Sequence, residues 1–227
     1  MIKIENVEIV GWESAIRGMR NPMNSWDKSD SEFNVSCRNC TSEYYRDQCD
    51  NCLYTDGNTL LGDNDLDLIK RLSKAGTDHR KFMRMIVVYL DVTAPLYWWA
   101  ECDTYKVGTV RNSCSTMHKI TEKEFTLDDF SHEHLLESGF NNCLLYVIQC
   151  LNAWRERYLE TKDKRFWWDI IQLLPSSYNQ KATLMLNYEV LANMYHSRKN
   201  HKLDEWREFC KWIETLPYSE LITGESK

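Results

Sequence analysis

"YNQKATLMLNYEVLANMYHSR", residues 178–198, is the stretch on which the fold turns. Leu184, Leu186, Val190, Leu191 and Met194 make it strongly apolar, and no glycine or proline interrupts it. Read by spacing, it is one continuous helix. Asn187 and Arg198 then lie about three turns apart on nearly one face, with Asn193 off to the side. Asparagine inside a helix is less favourable than better helix formers by a few tenths of a kcal/mol. Two of them on so apolar a helix need partners. Either the amides bond to a neighbouring loop, or they form a ligand edge, with Asn meeting a flat heterocycle and Arg198 a phosphate or carbonyl.

Working outward, the C-terminal half reads as helical. Residues 141–160 carry Leu144, Ile148, Leu151 and Trp154 at helical spacing; "RFWWDIIQLLP" is a helix stopped at Pro175, and "LDEWREFCKWIETLP" is another. The N-terminal half mixes both periods. "IKIENVEIV" alternates like a strand, and "MIVVYLDVT" is a β-branched strand expected to be buried on both faces. "SAIRGMR" is a short helix ended by Asn21-Pro22. "NDLDLIKRLSKAG" is an amphipathic helix capped by Asn64 or Asp65, with Leu66, Ile69 and Leu72 as its buried stripe and Gly76 at its end. "APLYWWAECDTYK" opens a helix at Pro95. The expectation is an α+β fold: a small mixed or antiparallel sheet packed with several long helices.

Composition narrows the function classes. The chain has 227 residues, 43% hydrophobic, with 9 Trp and 12 Tyr, enough for a sizeable aromatic core. Its net charge of −6 argues against a broad electrostatic grip on nucleic acid or an acidic membrane. No apolar run approaches the roughly 18 residues of a membrane span, and the N-terminal stretch lacks the apolar core of a signal peptide. Nine cysteines in such a chain suit a reducing cytoplasm, with free or metal-bound thiols.

Residues 30–60 are rich in Cys, Asp and Asn, with little periodicity, and read as an inserted loop. "CRNC" and "CDNC" place Cys37, Cys40, Cys49 and Cys52 in the paired pattern of a four-thiolate zinc site, expected to be a structural staple. A zinc-bearing nucleic-acid-binding module is one function this pattern allows, although the acidic charge counts against it. His132 and His134 read as a surface helix start rather than a metal site. Cys114 and His118 lack a group to orient the histidine, and the pairs Trp98-Trp99 and Trp167-Trp168 suit a core or an interface.

One segment has neither period. "DTYKVGTVRNSCSTMHK", residues 103–119, follows the aromatic run "APLYWW" and is built of small and hydroxyl-bearing residues. It reads as a polar loop. Glycine there lets backbone approach a flat, phosphate-bearing ligand, and hydroxyls can serve phosphate oxygens or merely local turns.

Three segments, in order, resemble the flavin-dependent thymidylate synthases over about residues 15–218. "AIRGMR" resembles their early arginine-bearing helix. "AGTDHRKFMRMIVVYLDVTAP" resembles their H-x-x-x-FEH stretch and the strand that follows. "LLPSSYNQKATLMLNYEVLANMYHSRKNHKLDEWREFCKWIETLPY" resembles their C-terminal LP…N-x-R…LR segment without a gap. The family signature RHRxxSxNExSxRY falls on residues 103–119. One register sets Lys106 on the His, Asn112 on the Asn and Ser115 on the second Ser; a one-residue slide sets Lys106 on the second Arg and Thr109 on the first Ser. The signature's Glu and final Arg-Tyr are missing, FEH is "MRM", and Glu189 stands where the family has an arginine.

The resemblance implies one domain over residues 1–227 and FAD-dependent methylation of dUMP to dTMP, with methylenetetrahydrofolate as carbon donor and NADPH as reductant, or the same reaction on a related pyrimidine nucleotide. It places His79, Lys106, Asn187 and Asn193 at the flavin and Ser115 and Arg198 at the nucleotide. It also implies a homotetramer with sites between subunits. No side chain is assigned a catalytic proton or nucleophile, because the flavin carries the hard chemistry. A nucleotide-binding protein that kept the fold without turnover is the alternative.

Overall fold

The computed structural model describes residues 2–33, 59–137 and 141–224. Along the chain these form β1 (Lys3–Val10), α1 (Trp12–Arg20), β2 (Glu32–Phe33), β3 (Thr59–Leu60), α2 (Asp63–Lys74), a 3-10 segment (Arg80–Met85), β4 (Val87–Pro95), α3 (Leu96–Cys102) and β5 (Val110–Ser113). There follow α4 (Thr116–Lys119), α5 (Glu133–Glu137), α6 (Asn141–Thr161), α7 (Lys164–Leu173), β6 (Asn179–Asn187), α8 (Tyr188–Arg198), α9 (Asp204–Glu214) and α10 (Glu220–Thr223). The expected α+β architecture is present. The main sheet is antiparallel throughout, in the order β1-β4-β6-β5, and β2 pairs separately with β3. Among the described residues no helix is long and apolar enough to cross a membrane.

The stretch 178–198 is not one helix. Its first half is β6, paired along its whole length with β4, and only its second half is helical. Ala182, Leu184 and Leu186 face the core while Thr183 is exposed, a period of two that the run of apolar residues conceals. Asn187 marks the switch. Its backbone is extended, and its side-chain Oδ1 accepts from the Val190 N–H at 3.0 Å, an N-cap. Asn187 therefore stands at the head of α8 and Arg198 at its end, rather than on one helical face.

Three smaller expectations also change. β4 buries Val88, Leu90 and Val92 but leaves Tyr89 exposed, so it packs on one face only; the antiparallel sheet has helices on that side. α2 is not capped by Asn64 or Asp65. Gly62 holds the N-cap position, and Asp30 accepts from the backbone N–H groups of Asn64 and Asp65 at 2.9 and 3.1 Å. Residues 103–119 are not wholly loop, because Val110–Ser113 pair with β6 as an edge strand. Pairing there uses backbone groups and needs no apolar side chains.

The main core lies between the sheet and helices α1, α2, α3, α8, α9 and α10. Trp98, Trp99, Trp206, Tyr188 and Phe209 are nearly or fully enclosed in it. A buried aromatic removes roughly 150–250 Å² from water, on the order of 4 kcal/mol or more at about 25 cal/mol per Å². A second cluster joins α6 and α7 to residues 120–130: Leu144, Ile148 and Leu151, with Trp154 packed against them, form the stripe the spacing predicts, and Ile170 and Phe130 meet it. Helix α1 ends at Arg20, before Pro22, as expected.

Candidate functional site

The residues that the resemblance sets at the flavin and the nucleotide lie on α8 or on segments beside it, except Ser115. At the head of α8, Gly108 packs on the cap. Its backbone is left-handed (φ +77°), and a Cβ there would sit 2.8 Å from Asn187 Nδ2. Only glycine lets the loop carrying Lys106 come this close. Lys106 lines a cavity of about 170 Å³ with Cys102, Tyr105, Thr109 and Arg111. Thr109 Oγ1 and Arg111 Nε are buried without a hydrogen-bond partner among the described residues. Buried polar atoms usually have partners, so a small polar cavity with two orphans is a place where a ligand's oxygens fit. Arg111 is otherwise held firmly. It bonds to Asp103 at 2.7 Å and to Gln180, and its guanidinium lies 4.0 Å from the Trp99 ring centroid.

Beside the same turn of α8 lies the segment that follows His79. His79 is exposed at the start of Arg80–Met85. Arg80 donates to Asn193 Oδ1 at 3.3 Å, which ties this segment to the exposed Asn193. The buried Glu189 carboxylate takes Arg84 through two bonds and lies 3.4 Å from Arg80 Nε. Here two departures from the family pattern meet. The Glu of FEH is Arg84, an arginine of the C-terminal segment is Glu189, and the two exchanged charges form one ion pair.

Arg198, the last residue of α8, is half-buried and held by protein groups. Nε donates to the Tyr105 hydroxyl at 3.0 Å, Nη1 donates to Glu101 Oε2, and the guanidinium lies 4.9 Å from the Trp206 ring centroid. His201 Nε2 lies 3.0 Å from Nη1. Ser115 stands apart. It caps α4 by accepting from the His118 N–H at 3.2 Å, and the neighbouring Cys114 N–H bonds to Lys181 O. Lys181 and Asn187 occupy opposite ends of β6, about 20 Å apart along the strand. Ser115 instead lines a cleft of about 450 Å³ with Gln180, Tyr178, Lys119 and Lys123. The cations of that cleft are matched: Lys119 by Glu122, Lys123 by Asp129 and Lys181 by Asp91.

Cys37, Cys40, Cys49 and Cys52 lie outside the described residues, and among the described ones no cluster of His, Cys, Asp and Glu has a metal-binding arrangement. His132 bonds to Phe130 O through Nδ1 at 2.8 Å, and His134 lies 3.4 Å from Asp204. Burial pushes the Cys102 thiol up to about 12 and the Cys210 thiol up to about 11, so neither is a nucleophile at neutral pH. Sequence reasoning did not find Glu101, Tyr105 or Gln180. Each meets its partner across more than sixty residues of chain, a distance no local spacing reports.

The fold is that of the flavin-dependent thymidylate synthases and a related nucleotide methylase. One solved structure, thymidylate synthase X from Helicobacter pylori with FAD and dUMP, is 16% identical and superposes with a TM-score of 0.64 over 97% of this chain and 96% of its own. A second structure of that enzyme, also complexed with FAD and dUMP, is 17% identical over 99% and 100% of the two chains, with a TM-score of 0.64. The UMP/dUMP methylase PolB from Streptomyces cacaoi, bound with 5-Br dUMP, is 12% identical, with a TM-score of 0.62 over 99% and 94%. No family model matches the chain, and no curated protein matches its sequence.

Proposed function

We propose that this chain is a divergent flavin-dependent methylase of a pyrimidine nucleotide, with dUMP as the first substrate to test. The Arg84–Glu189 pair carries the reading. Each residue departs from the family pattern, and the two departures meet as one ion pair, at the junction where the resemblance places the flavin. The fold, matched over nearly the whole chain, supports the same reading.

The residues at the head of α8 fit the polar parts of FAD. Lys106, Thr109 and Arg111 line a cavity with orphaned polar atoms, and Gly108 leaves room for backbone approach. In this reading Lys106, His79, Asn187 and Asn193 hold the cofactor. Asn187 Oδ1 is committed to capping α8, which leaves its Nδ2 as a donor. The flavin, when bound, supplies the redox step, with NADPH as reductant and methylenetetrahydrofolate as carbon donor. The protein's part is to bind and orient. Arg198 contacts the nucleotide, the working form is a homotetramer with sites between subunits, and Ser115, from the cleft at the other end of β6, belongs to such a shared site.

The test is FAD and dUMP added separately and together to purified protein. A flavin absorbance band retained through gel filtration, and a thermal shift with each ligand, are expected. Colourless protein after FAD addition, with no shift, overturns the proposal. Light scattering at the mass of one 27.0 kDa chain overturns the tetramer. Elemental analysis of reduced protein tests the expected zinc on Cys37, Cys40, Cys49 and Cys52, at about one per chain.

A second reading, nucleotide binding without turnover, is favoured by one observation. The flavin-contacting Arg-His-Arg of the family signature is "TYK" or "YKV" here, while Arg198 keeps the position that the resemblance gives the nucleotide arginine. Binding of dUMP without release of tritium from 5-tritiated dUMP, in the presence of all co-substrates, would select it.

A further inference from the structure

The cavity beside the head of α8 is walled by hydrogen-bond donors. Tyr105, Lys106, Thr109 and Arg111 all line it. The Tyr105 hydroxyl accepts from Arg198 Nε, which leaves its own proton to donate. The Thr109 hydroxyl has no partner among the described residues. Lys106 is exposed and forms no ion pair with another described residue. A guanidinium carries five N–H donors. Arg111 gives one from Nη1 to Asp103 and one from Nη2 to Gln180, and its Nε is unmatched. Those two bonds, with the Trp99 ring against its plane, hold the group in place. The one carboxylate of the lining, Asp103, is already taken by Arg111, and burial keeps the Cys102 thiol neutral. Two cations against one carboxylate leave the lining with a net positive charge.

We infer that this cavity is a phosphoryl pocket, with Arg111 and Thr109 as its binding residues. A phosphoryl group offers acceptors and negative charge only, which is what a positive wall of donors selects. The edge of a nucleobase or flavin ring carries N–H groups as well, and these would meet no free acceptor here. Size points the same way. At about 170 Å³ the cavity is smaller than the roughly 300–1,000 Å³ that encloses a whole ligand, so it seats one group of a larger molecule. Arg111 stands where the signature specifies no arginine in either register, so the pocket belongs to this chain rather than to the pattern it resembles. The identity of the larger molecule rests on the proposed function, in which FAD and dUMP both carry phosphoryl groups. The charge and size of the cavity do not depend on that reading.

Inorganic phosphate alone is the first probe. It should raise the thermal midpoint of the full chain above that in sodium chloride of equal ionic strength. The rise should vanish in Arg111→Gln and shrink in Thr109→Val. No rise, a rise that chloride reproduces, or one that both variants keep overturns the inference without touching FAD or dUMP binding. Calorimetry then finds the source, comparing FAD with riboflavin and dUMP with deoxyuridine on the wild type and both variants. In one pair, Arg111→Gln should weaken the phosphorylated member at least tenfold and leave the other nearly unchanged. Loss in the first pair assigns the pocket to the cofactor, and loss in the second to the nucleotide. Equal weakening within both pairs, or no change in either, overturns the inference. If Arg111→Gln does not fold, Thr109→Val, which keeps the side-chain shape, decides alone, with a severalfold loss expected. Wild-type protein that responds to phosphate but binds neither FAD nor dUMP removes the proposed function and leaves the pocket standing.

Discussion

Two arginine–carboxylate pairs in this molecule use the same chemistry to opposite ends. Arg20 and Asp65, joining α1 to α2, are enclosed, with side chains 4% and 0% exposed. Every Asp65 oxygen is used. Oδ1 takes Arg20 Nε at 2.6 Å, and Oδ2 takes the Ser29 and Ser31 hydroxyls and the N–H groups of Asp30 and Ser31. Arg20 in turn donates to Ser25 O and Lys28 O. Arg198 and Glu101 are half-open, anchored on one side and unmatched on the other. A saturated pair has nothing left to offer a ligand and acts as a clamp on the chain. An unsaturated pair held rigid by its neighbours still has a hydrogen bond to offer. The difference lies in the count of unmet hydrogen bonds rather than in residue type.

Breaking the clamp should have the largest effect. Arg20→Ala leaves the Asp65 carboxylate buried without its cation, and a loss of about 3–5 kcal/mol is expected. Urea denaturation checks this; a loss under about 1 kcal/mol would remove the distinction drawn here. Arg198→Lys probes the other pair. It keeps the charge but not the planar fork stacked on Trp206, so dUMP affinity should fall more than tenfold, about 1.5–3 kcal/mol, with stability within about 0.5 kcal/mol. Unchanged affinity in Arg198→Lys and Arg198→Ala, with the fold intact, leaves Arg198 only a role at the helix end.

A smaller effect is expected at the other end of α8. Gly108→Ala forces a left-handed backbone on a residue with a Cβ and crowds Asn187 Nδ2, for roughly 1–2 kcal/mol. Its thermal midpoint should fall, and the FAD-induced shift should shrink more than the dUMP-induced one. The smallest effect concerns a third carboxylate, Asp91, on the outer face of the sheet. Hydrogen bonds from Thr183, then Asn6 and Lys181, hold it down at about 2. A depressed carboxylate adds stability above its unfolded value, about 3.9. That stability is lost as pH falls through the folded value. Thr183→Val removes the first of these bonds, so the Asp91 titration followed by carboxyl NMR should move upward, toward pH 4. No movement would show that Thr183 is not what holds it.

Much of the frame was legible without tertiary information. Helices α2, α6, α7 and α9 and strands β1 and β4 follow from periodicity, because burying one face imposes a repeat on the chain. Pro22 and Gly76 mark real ends. The resemblance carried the family fold from spacing in segments that no family model matches. The turn from strand to helix at Asn187 was not legible. Alanine, leucine and methionine suit either state, and only the neighbours β4 and β5 make residues 179–187 a strand.

The sequence by itself determined the fold class, the positions of most helices and the set of residues worth testing, since local spacing reports local periodicity. Tertiary structure alone decided their company. It paired Arg84 with Glu189, so that two departures from the family pattern meet in one ion pair. It moved Ser115 to the far end of β6 from Asn187. It also brought Glu101 to Arg198, 97 residues away in the chain. Hydrogen bonds and ion pairs act over a few ångströms in space, whatever the distance along the chain, so the chemistry of this site is written in contacts that no window of sequence contains.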